Sequence, residues 1–479
     1  MRRAEVAIIA TPTMGNLVPA VEFATHLINH HPGRISVTIL IISMPHWPLL
    51  DDYIRSHTST DHIRFIQLPP VDPPPPDQYN SGIEFISIHI QNHKPMVKQT
   101  LQNLLTPVTD LGPDPVPLAG LFVDMFCTSM IDVANDLDIP CYLFFASPAA
   151  YLGFVLHLTT LPATDSIESA AELTVPSYAK PVPSNALPVF CINKNEFGYS
   201  TFVQHAVRYN ETKGIVVNTF QELEPYALDS LSSSYMNLPP IYSVGPIIDH
   251  VGPVKWHSNR SRLEKTIGWL DRQPSSSVVF LCFGSMGSLT PAQVKEIAMG
   301  LERAGHRFLW ALREPAKLNI ELPNDYECLD NNLFPDGFID RTTEIGLVCG
   351  WVPQVSVLAH KAIGGFVSHC GWNSILESIF YGVPTATWPL YGEQQLNAFE
   401  MARELGLSVE IRLDSRDKGG DLVLAKEVER GVKELMDGGD GELRKKVKEM
   451  SEKSKKALME NGSSFRALED FINILLTNI

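Results

Sequence analysis

The sequence predicts two α/β domains, each doubly wound around a mainly parallel sheet and facing the other across a cleft. Three observations lead there. The chain has 479 residues, more than one hydrophobic core ordinarily serves, so two domains are expected. Its first half alternates short β-branched runs with helical patterns, the βαβ rhythm of a parallel sheet covered by helices on both faces. That rhythm stops at Pro246–Arg262, a polar stretch without periodicity, and begins again beyond it. The expected division is a first domain over 1–245, a linker over 246–262, a second domain over 263–455 and a terminal helix over 456–479 packing back on the first domain.

In the first half, Val6–Ala10 reads as a buried strand. A Thr-Pro-Thr-Met-Gly turn follows, then a helix over Leu17–Asn29 with Val18, Val21, Phe23, Ala24 and Leu27 in an apolar stripe. Val37–Ile42, Ile63–Gln67, Leu118–Val123, Pro140–Phe145 and Gly214–Asn218 are further strands, with a helix over Ser129–Leu137. Pro69–Pro76 reads as a surface loop. In the second half, Val278–Phe283, Phe308–Leu312, Leu347–Gly350, Gly365–Ser368 and Thr385–Trp388 read as strands, and Pro291–Ala304 as a helix. The last helix, around Ser464–Leu476, gathers Phe465, Leu468, Phe471, Ile472 and Leu475 on one side and needs a surface to cover them.

Composition narrows the function. Apolar residues make up 44% and charged residues 19%, ordinary for a globular protein. The net charge of −16 disfavours a nucleic-acid groove, which needs a clustered basic face. The basic run Arg444–Lys456 is interrupted by Glu residues and reads as a solvated helix face. Seven cysteines, none in a C-x-x-C pair, make a disulfide framework or zinc site unexpected and fit a reducing cytosol. The sequons at Asn210, Asn259 and Asn461 are then chance matches. The run Val6–Ala10 is too short for a signal-peptide core. The apolar window Ile139–Leu156 contains Pro140, Pro148 and Gly153 and reads as strand, turn and helix rather than as a membrane span. A cytoplasmic location is expected.

Ligands of open parallel sheets bind at the carboxyl ends of the strands. One such end stands out: Gly364-Gly-Phe-Val-Ser-His-Cys-Gly-Trp-Asn-Ser-Ile-Leu-Glu377. A strand ends at Ser368, a tight turn follows, and a helix begins near Asn373. Its unpaired N–H groups and positive dipole end suit a phosphate or diphosphate. Asn373 and Ser374 sit in its first turn, His369 adds a donor, and Glu377, four residues on, can accept bonds from ribose hydroxyls. A dinucleotide oxidoreductase is disfavoured, because no strand is followed by a G-x-G-x-x-G turn.

The window from Trp351-Val-Pro-Gln354 through His369-Cys-Gly-Trp-Asn-Ser374 to Pro389-Leu-Tyr-Gly-Glu-Gln394 resembles the signature box of the plant family-1 UDP-sugar glycosyltransferases. Gly214–Glu224, Tyr242–Pro246 and Val279–Ser285 extend the resemblance. It implies a GT-B fold of two Rossmann-like domains and an inverting transfer of glucose from UDP-glucose, without cofactor or metal ion, onto a small apolar acceptor such as a flavonoid or other phenolic. The implied partners are the acceptor and the UDP-sugar; no obligate protein partner is expected. By the same resemblance Trp351 stacks on uracil, with Val352 and Gln354 bonding it, and Glu377 holds the ribose. Ser285, His369, Asn373 and Ser374 hold the diphosphate. Trp372, Glu393 and Gln394 bind sugar hydroxyls, and Gln394 as the last residue of the box points to glucose.

On the acceptor side the family supplies a His base in the first turn, oriented by an Asp at the end of a later strand. Asp124 occupies the Asp position, but Asn16 stands where the His belongs. A carboxamide is not a base near neutral pH. Two expectations follow: Asp124 acts directly, or through water bridged by Asn16, on easily ionised phenols, or the chain is a UDP-sugar binder impaired by nature or by engineering. Neither His26 nor His46 is an evident substitute. Ile86, Phe126, Phe145 and Tyr391 are the expected acceptor-lining residues.

Overall fold

A computed structural model of the chain describes residues 3–44, 48–57, 62–106, 116–161, 171–192, 198–235, 237–252, 260–315, 323–326, 333–414, 422–439 and 441–477. His46, Cys328, the Asn259 sequon and residues 253–259 of the expected linker lie outside them. The chain divides into two units. The first comprises Met1–Pro181, Phe190–Ile248 and Ser454–Ile479, and the second Val182–Val189 and Asp249–Lys453. The short segment Val182–Val189 thus groups with the second unit although it lies far upstream of the polar stretch.

The sheet of the first unit runs Ile63–Gln67, Ile35–Ile41, Ala4–Ile9, Leu118–Asp124, Cys141–Phe145, Ile215–Val217 and Ile241–Ser243, each pair parallel. That of the second runs Gly346–Cys349, Arg307–Ala311, Val278–Cys282, Ile363–Ser368, Thr385–Thr387 and Ser408–Glu410, again parallel throughout. The central strands are buried on both faces, which is why they read as continuous apolar runs without alternation; Val278–Cys282 is buried at every position. Both sheets are the expected doubly wound kind. In each, the strand order reverses beside the first strand of the unit, between Ala4–Ile9 and Leu118–Asp124 and between Val278–Cys282 and Ile363–Ser368. These are the switch points at which open α/β sheets form a crevice at the carboxyl ends.

Two strands that the sequence pattern does not announce, Ile241–Ser243 and Ser408–Glu410, extend the sheet edges with three residues each. The window Ile139–Leu156 resolves into the strand Cys141–Phe145 and the helix Ala149–Leu158. Glu224 accepts hydrogen bonds from Ala149 N at 3.0 Å and Ala150 N at 2.7 Å. A buried carboxylate there satisfies two of the helix's opening donors and complements its dipole. Among the described residues no helix is long and apolar enough to cross a membrane, and no disulfide joins the cysteines.

The last helix, Ser463–Thr477, finds its cover on the first unit. Leu468, Phe471, Ile472 and Leu475 recur at helical spacing and are all buried. The Phe471 ring centroid lies 5.0 Å from that of Tyr242, 5.2 Å from Tyr142 and 5.6 Å from Phe122. Ser464 fixes the helix start by donating its hydroxyl to the carbonyl of Gly245.

Candidate functional site

At the switch point of the second unit, the strand Ile363–Ser368 ends in a turn that Cys370 makes in the left-handed region, φ 64°. Such a backbone is unusual for a residue with a side chain. It is held from both sides: Cys370 N donates to Ser368 Oγ at 3.1 Å, and Asn397 Nδ2 donates to the Cys370 carbonyl at 2.9 Å. The turn delivers the chain into the helix Trp372–Tyr381, whose N-cap is Gly371 and carries no side-chain cap. No N-cap side chain occupies this helix end, and its positive dipole end favours an anion.

His369 is 6% exposed, and burial pushes its pKa down to about 4, so its imidazole is neutral at physiological pH. It fits because its neighbours have no side chains. A Cβ on Gly284 would lie 2.5 Å from His369 Nε2, and one on Gly371 2.6 Å from the same atom. Gly284 also takes φ 77° in the turn that carries Ser285.

The helix face beyond the turn is organised by Gln354, which donates from Nε2 to Ser374 Oγ at 2.8 Å and to Glu377 Oε2 at 2.6 Å. The structure thus brings together three residues that the sequence separates. Burial pushes the Glu377 carboxyl up to about 7, and the Gln354 bond works against that rise. Trp351 N donates to Asp325 Oδ1 at 2.8 Å, and Asp325 also pairs with Arg262 and with Arg313. Val352 is 2% exposed and Trp372 3% exposed; their side chains pack, which leaves the main chain as what they offer a ligand. Gln394 is also buried, and its Oε1 accepts from Leu390 N at 2.9 Å and Tyr391 N at 3.0 Å. It therefore shapes the Pro389–Gly392 loop and keeps Nε2 as its remaining donor. Glu393 is half-buried at the N-cap of the following helix, and Tyr391 is 41% exposed.

At the switch point of the first unit, Asp124 is 2% exposed. It accepts from Thr11 N at 2.6 Å, Thr11 Oγ1 at 2.7 Å and Phe126 N at 2.9 Å. Burial raises its pKa while these three bonds pull it back. Asn16 is half-buried near the start of the helix Met14–His30, and its Oδ1 accepts from the Thr13 hydroxyl at 2.7 Å. Among the described residues Asn16 and Asp124 are not hydrogen-bonded to each other. Of the expected acceptor-lining residues, Ile86 and Phe126 are half-buried, Phe126 against the rings of Phe202 and His205. Phe145 instead is fully buried against Tyr151 and Tyr209 and belongs to the core. Its place at a strand end made it resemble a lining residue, but the neighbouring helix covers it.

Sequence reasoning missed Thr11, Asp325 and Asn397, which hydrogen-bond Asp124, the Trp351 amide and the Cys370 carbonyl. Each works through a partner distant in the chain, and no motif marks such a pairing.

Residues 211–428 match the family model described as UDP-glucoronosyl and UDP-glucosyl transferase. UDP-glycosyltransferase 43 of Pueraria montana var. lobata is 55% identical over 476 residues, covering 99% of this chain and 100% of that one. UDP-glucose flavonoid 3-O-glucosyltransferase 6 of Fragaria ananassa is 45% identical with 100% of both chains covered. The crystal structure of Medicago truncatula UGT71G1 complexed with UDP-glucose superposes with a TM-score of 0.88 at 41% identity, covering 99% of this chain and 98% of that chain. Likeness of this extent, on two doubly wound sheets that share the GT-B architecture, is decisive: the chain belongs to the plant UDP-glycosyltransferase family.

Proposed function

We propose that the chain transfers glucose from UDP-glucose, with inversion at the anomeric carbon, to a small apolar phenol of the flavonoid kind, without cofactor or divalent ion. The carrying observation is the Gln354–Ser374–Glu377 cluster at an uncapped helix end beside a buried, neutral His369. In this reading Trp351 stacks on uracil, with the Val352 main chain and Gln354 bonding it, and Glu377 accepts from the ribose. Ser285, His369, Asn373, Ser374 and the helix end hold the diphosphate and offset its charge as it leaves. The Trp372 main chain, Glu393 and the Gln394 carboxamide bind the sugar hydroxyls. Support for glucose comes from Gln394 and from the UDP-glucose bound to the Medicago relative.

Asn16 cannot take a proton from the acceptor, so the reading assigns it another role. With Oδ1 occupied by Thr13, the carboxamide acts as a donor. The acceptor enters as its phenolate, its proton having passed to solvent, and Asn16 Nδ2 steadies the oxygen. That oxygen attacks the anomeric carbon, the bond from this carbon to the β-phosphate oxygen breaks, and UDP departs with the electron pair. Asp124 is a positioning residue for the turn that presents Asn16. Ile86 and Phe126 line the acceptor side in this reading. The flavonoid class is supported by the substrate in the name of the Fragaria relative. Buried free cysteines fit a reducing compartment, and the cytosol is the proposed location.

A second reading, a UDP-sugar binder with impaired turnover, is favoured by Asn16 itself. The chain and its Asn16→His variant, given UDP-glucose and phenols of graded acidity, separate the two by product mass. Turnover of acidic phenols by the unaltered chain, extended to weaker acids by the His variant, is expected, since general-base catalysis is worth roughly 10²–10⁴-fold. Product from the His variant alone would establish the impaired reading.

A further inference from the structure

The helix Met14–His30 ends on a histidine, and a second histidine follows where the chain leaves the helix, His31 at φ −134° and ψ 78°. The change of direction turns the two rings edge to face, centroids 5.0 Å apart and planes at 86°. The terminal helix Ser463–Thr477 lies against them, the Phe465 ring 4.2 Å from that of His30. Four residues further on, on the same helix face, stands Glu469.

One ligand atom from each of His30, His31 and Glu469 lies within 4.8 Å of the other two. The ε2 nitrogens of both histidines are shielded from solvent and have no hydrogen-bond partner among the described residues. Folding rarely leaves a buried imidazole nitrogen unsatisfied, and two beside one carboxylate form a donor set in need of a cation. Two imidazoles and a carboxylate match the ligand preference of zinc, which bonds them at about 2.0–2.2 Å with a fourth position for water.

We propose that His30, His31 and Glu469 form a zinc site that ties the end of the first helix to the last helix of the chain. The three residues lie far apart in sequence and match no metal motif, so only the fold assembles them. The site lies within the first unit and contains none of the residues assigned to donor or acceptor, so its test does not depend on turnover.

The test uses the full chain stripped of metal by chelation, with zinc ion as probe in calorimetric titration and thermal melting, and cobalt ion as spectroscopic substitute. His31→Ala and Glu469→Gln are the variants, both at half-buried positions. The expected result is one zinc per chain, a rise in melting temperature on zinc addition, and a cobalt spectrum of nitrogen and oxygen ligation. Each variant should lose about tenfold or more in affinity, as removal of a direct ligand demands at least what loss of a supporting contact costs. Melting of the metal-free proteins shows whether each variant is folded, and if His31→Ala is not, Glu469→Gln decides alone. Absence of zinc binding, binding undiminished in the folded variants, or a sulfur-to-cobalt charge-transfer band pointing to cysteine would overturn the assignment.

Discussion

Thr11 grips both oxygens of Asp124, its amide donating to Oδ2 at 2.6 Å and its hydroxyl to Oδ1 at 2.7 Å. The carboxylate thus locks the turn after the first strand to the end of the fourth strand in the chain, at the switch point. Asp124→Asn replaces one acceptor by a donor, so Thr11 N or Phe126 N is left facing an N–H group. A buried donor without a partner costs about 1–3 kcal/mol. Urea unfolding should show a loss of that size, with Thr11→Val less severe because its backbone bond survives. If Asp124→Asn melts like the parent, the grip contributes nothing to stability.

Gly284 leaves the space that His369 occupies. Alanine there must hold a left-handed backbone, at a cost of about 1–2 kcal/mol, and its Cβ would sit 2.5 Å from His369 Nε2. UDP binding measured by calorimetry should weaken by about tenfold or more, in keeping with a lost or displaced charge-assisted contact worth roughly 1.5–3 kcal/mol. In a His369→Ala background the same change should cost little further, because the collision has gone. Additive losses would show that Gly284 acts independently of the imidazole.

Glu377 gives the site a pH dependence of definite sign. With its carboxyl pushed up to about 7, the group is increasingly protonated as pH falls below neutrality. The ionised carboxylate is the stronger acceptor for hydroxyls, so affinity for UDP-glucose should fall between pH 7 and pH 5. Binding should draw the group back to its charged form and release a proton near pH 7, detectable as a buffer-dependent heat. Glu377→Gln should bind more weakly at pH 7.5 and lose this pH dependence. The same shift bears on folding in the opposite sense to a salt-bridged acid. The native state holds the proton more tightly than the unfolded chain, so this group's contribution to stability declines as pH rises through the window from the ordinary glutamate value to about 7.

The sheet strands were legible because burial on both faces makes them continuous apolar runs, as in Val278–Cys282. The edge strands Ile241–Ser243 and Ser408–Glu410 were not, since three residues carry no period. The helix end around His369 and Asn373 was legible because strand, tight turn and helix are consecutive in sequence. What the sequence could not show is which groups hold these residues. The Gln354 bonds to Ser374 and Glu377 span twenty residues or more, and a buried Phe145 is indistinguishable from a lining one until the neighbouring helix is in place. Nor does a motif reveal that Gln394 spends its carbonyl oxygen on the loop before it.

Asp325 makes the same point for Trp351, the residue proposed to stack on uracil. It has no motif around it, yet its Oδ1 takes the Trp351 amide at 2.8 Å, and its carboxylate is held in the charged form by that bond and by Arg262 and Arg313, which pull against its burial. A Cβ on Gly350 would lie 2.4 Å from Asp325 Cγ, so the glycine before Trp351 is what lets the carboxylate reach the main chain. Removing the carboxylate frees the Trp351 backbone and leaves Arg313, 8% exposed, without its counter-charge. Uracil lies remote from the bond being broken, so an interaction made equally in ground and transition states is lost. Asp325→Ala should therefore raise KM for UDP-glucose, by roughly tenfold for about 1.4 kcal/mol of binding lost, and leave kcat little changed. Asp325→Asn, which keeps an oxygen for Trp351 N but not the charge, should fall between the two. A fall in kcat at unchanged KM would mean that Asp325 serves the chemical step rather than the seating of the base.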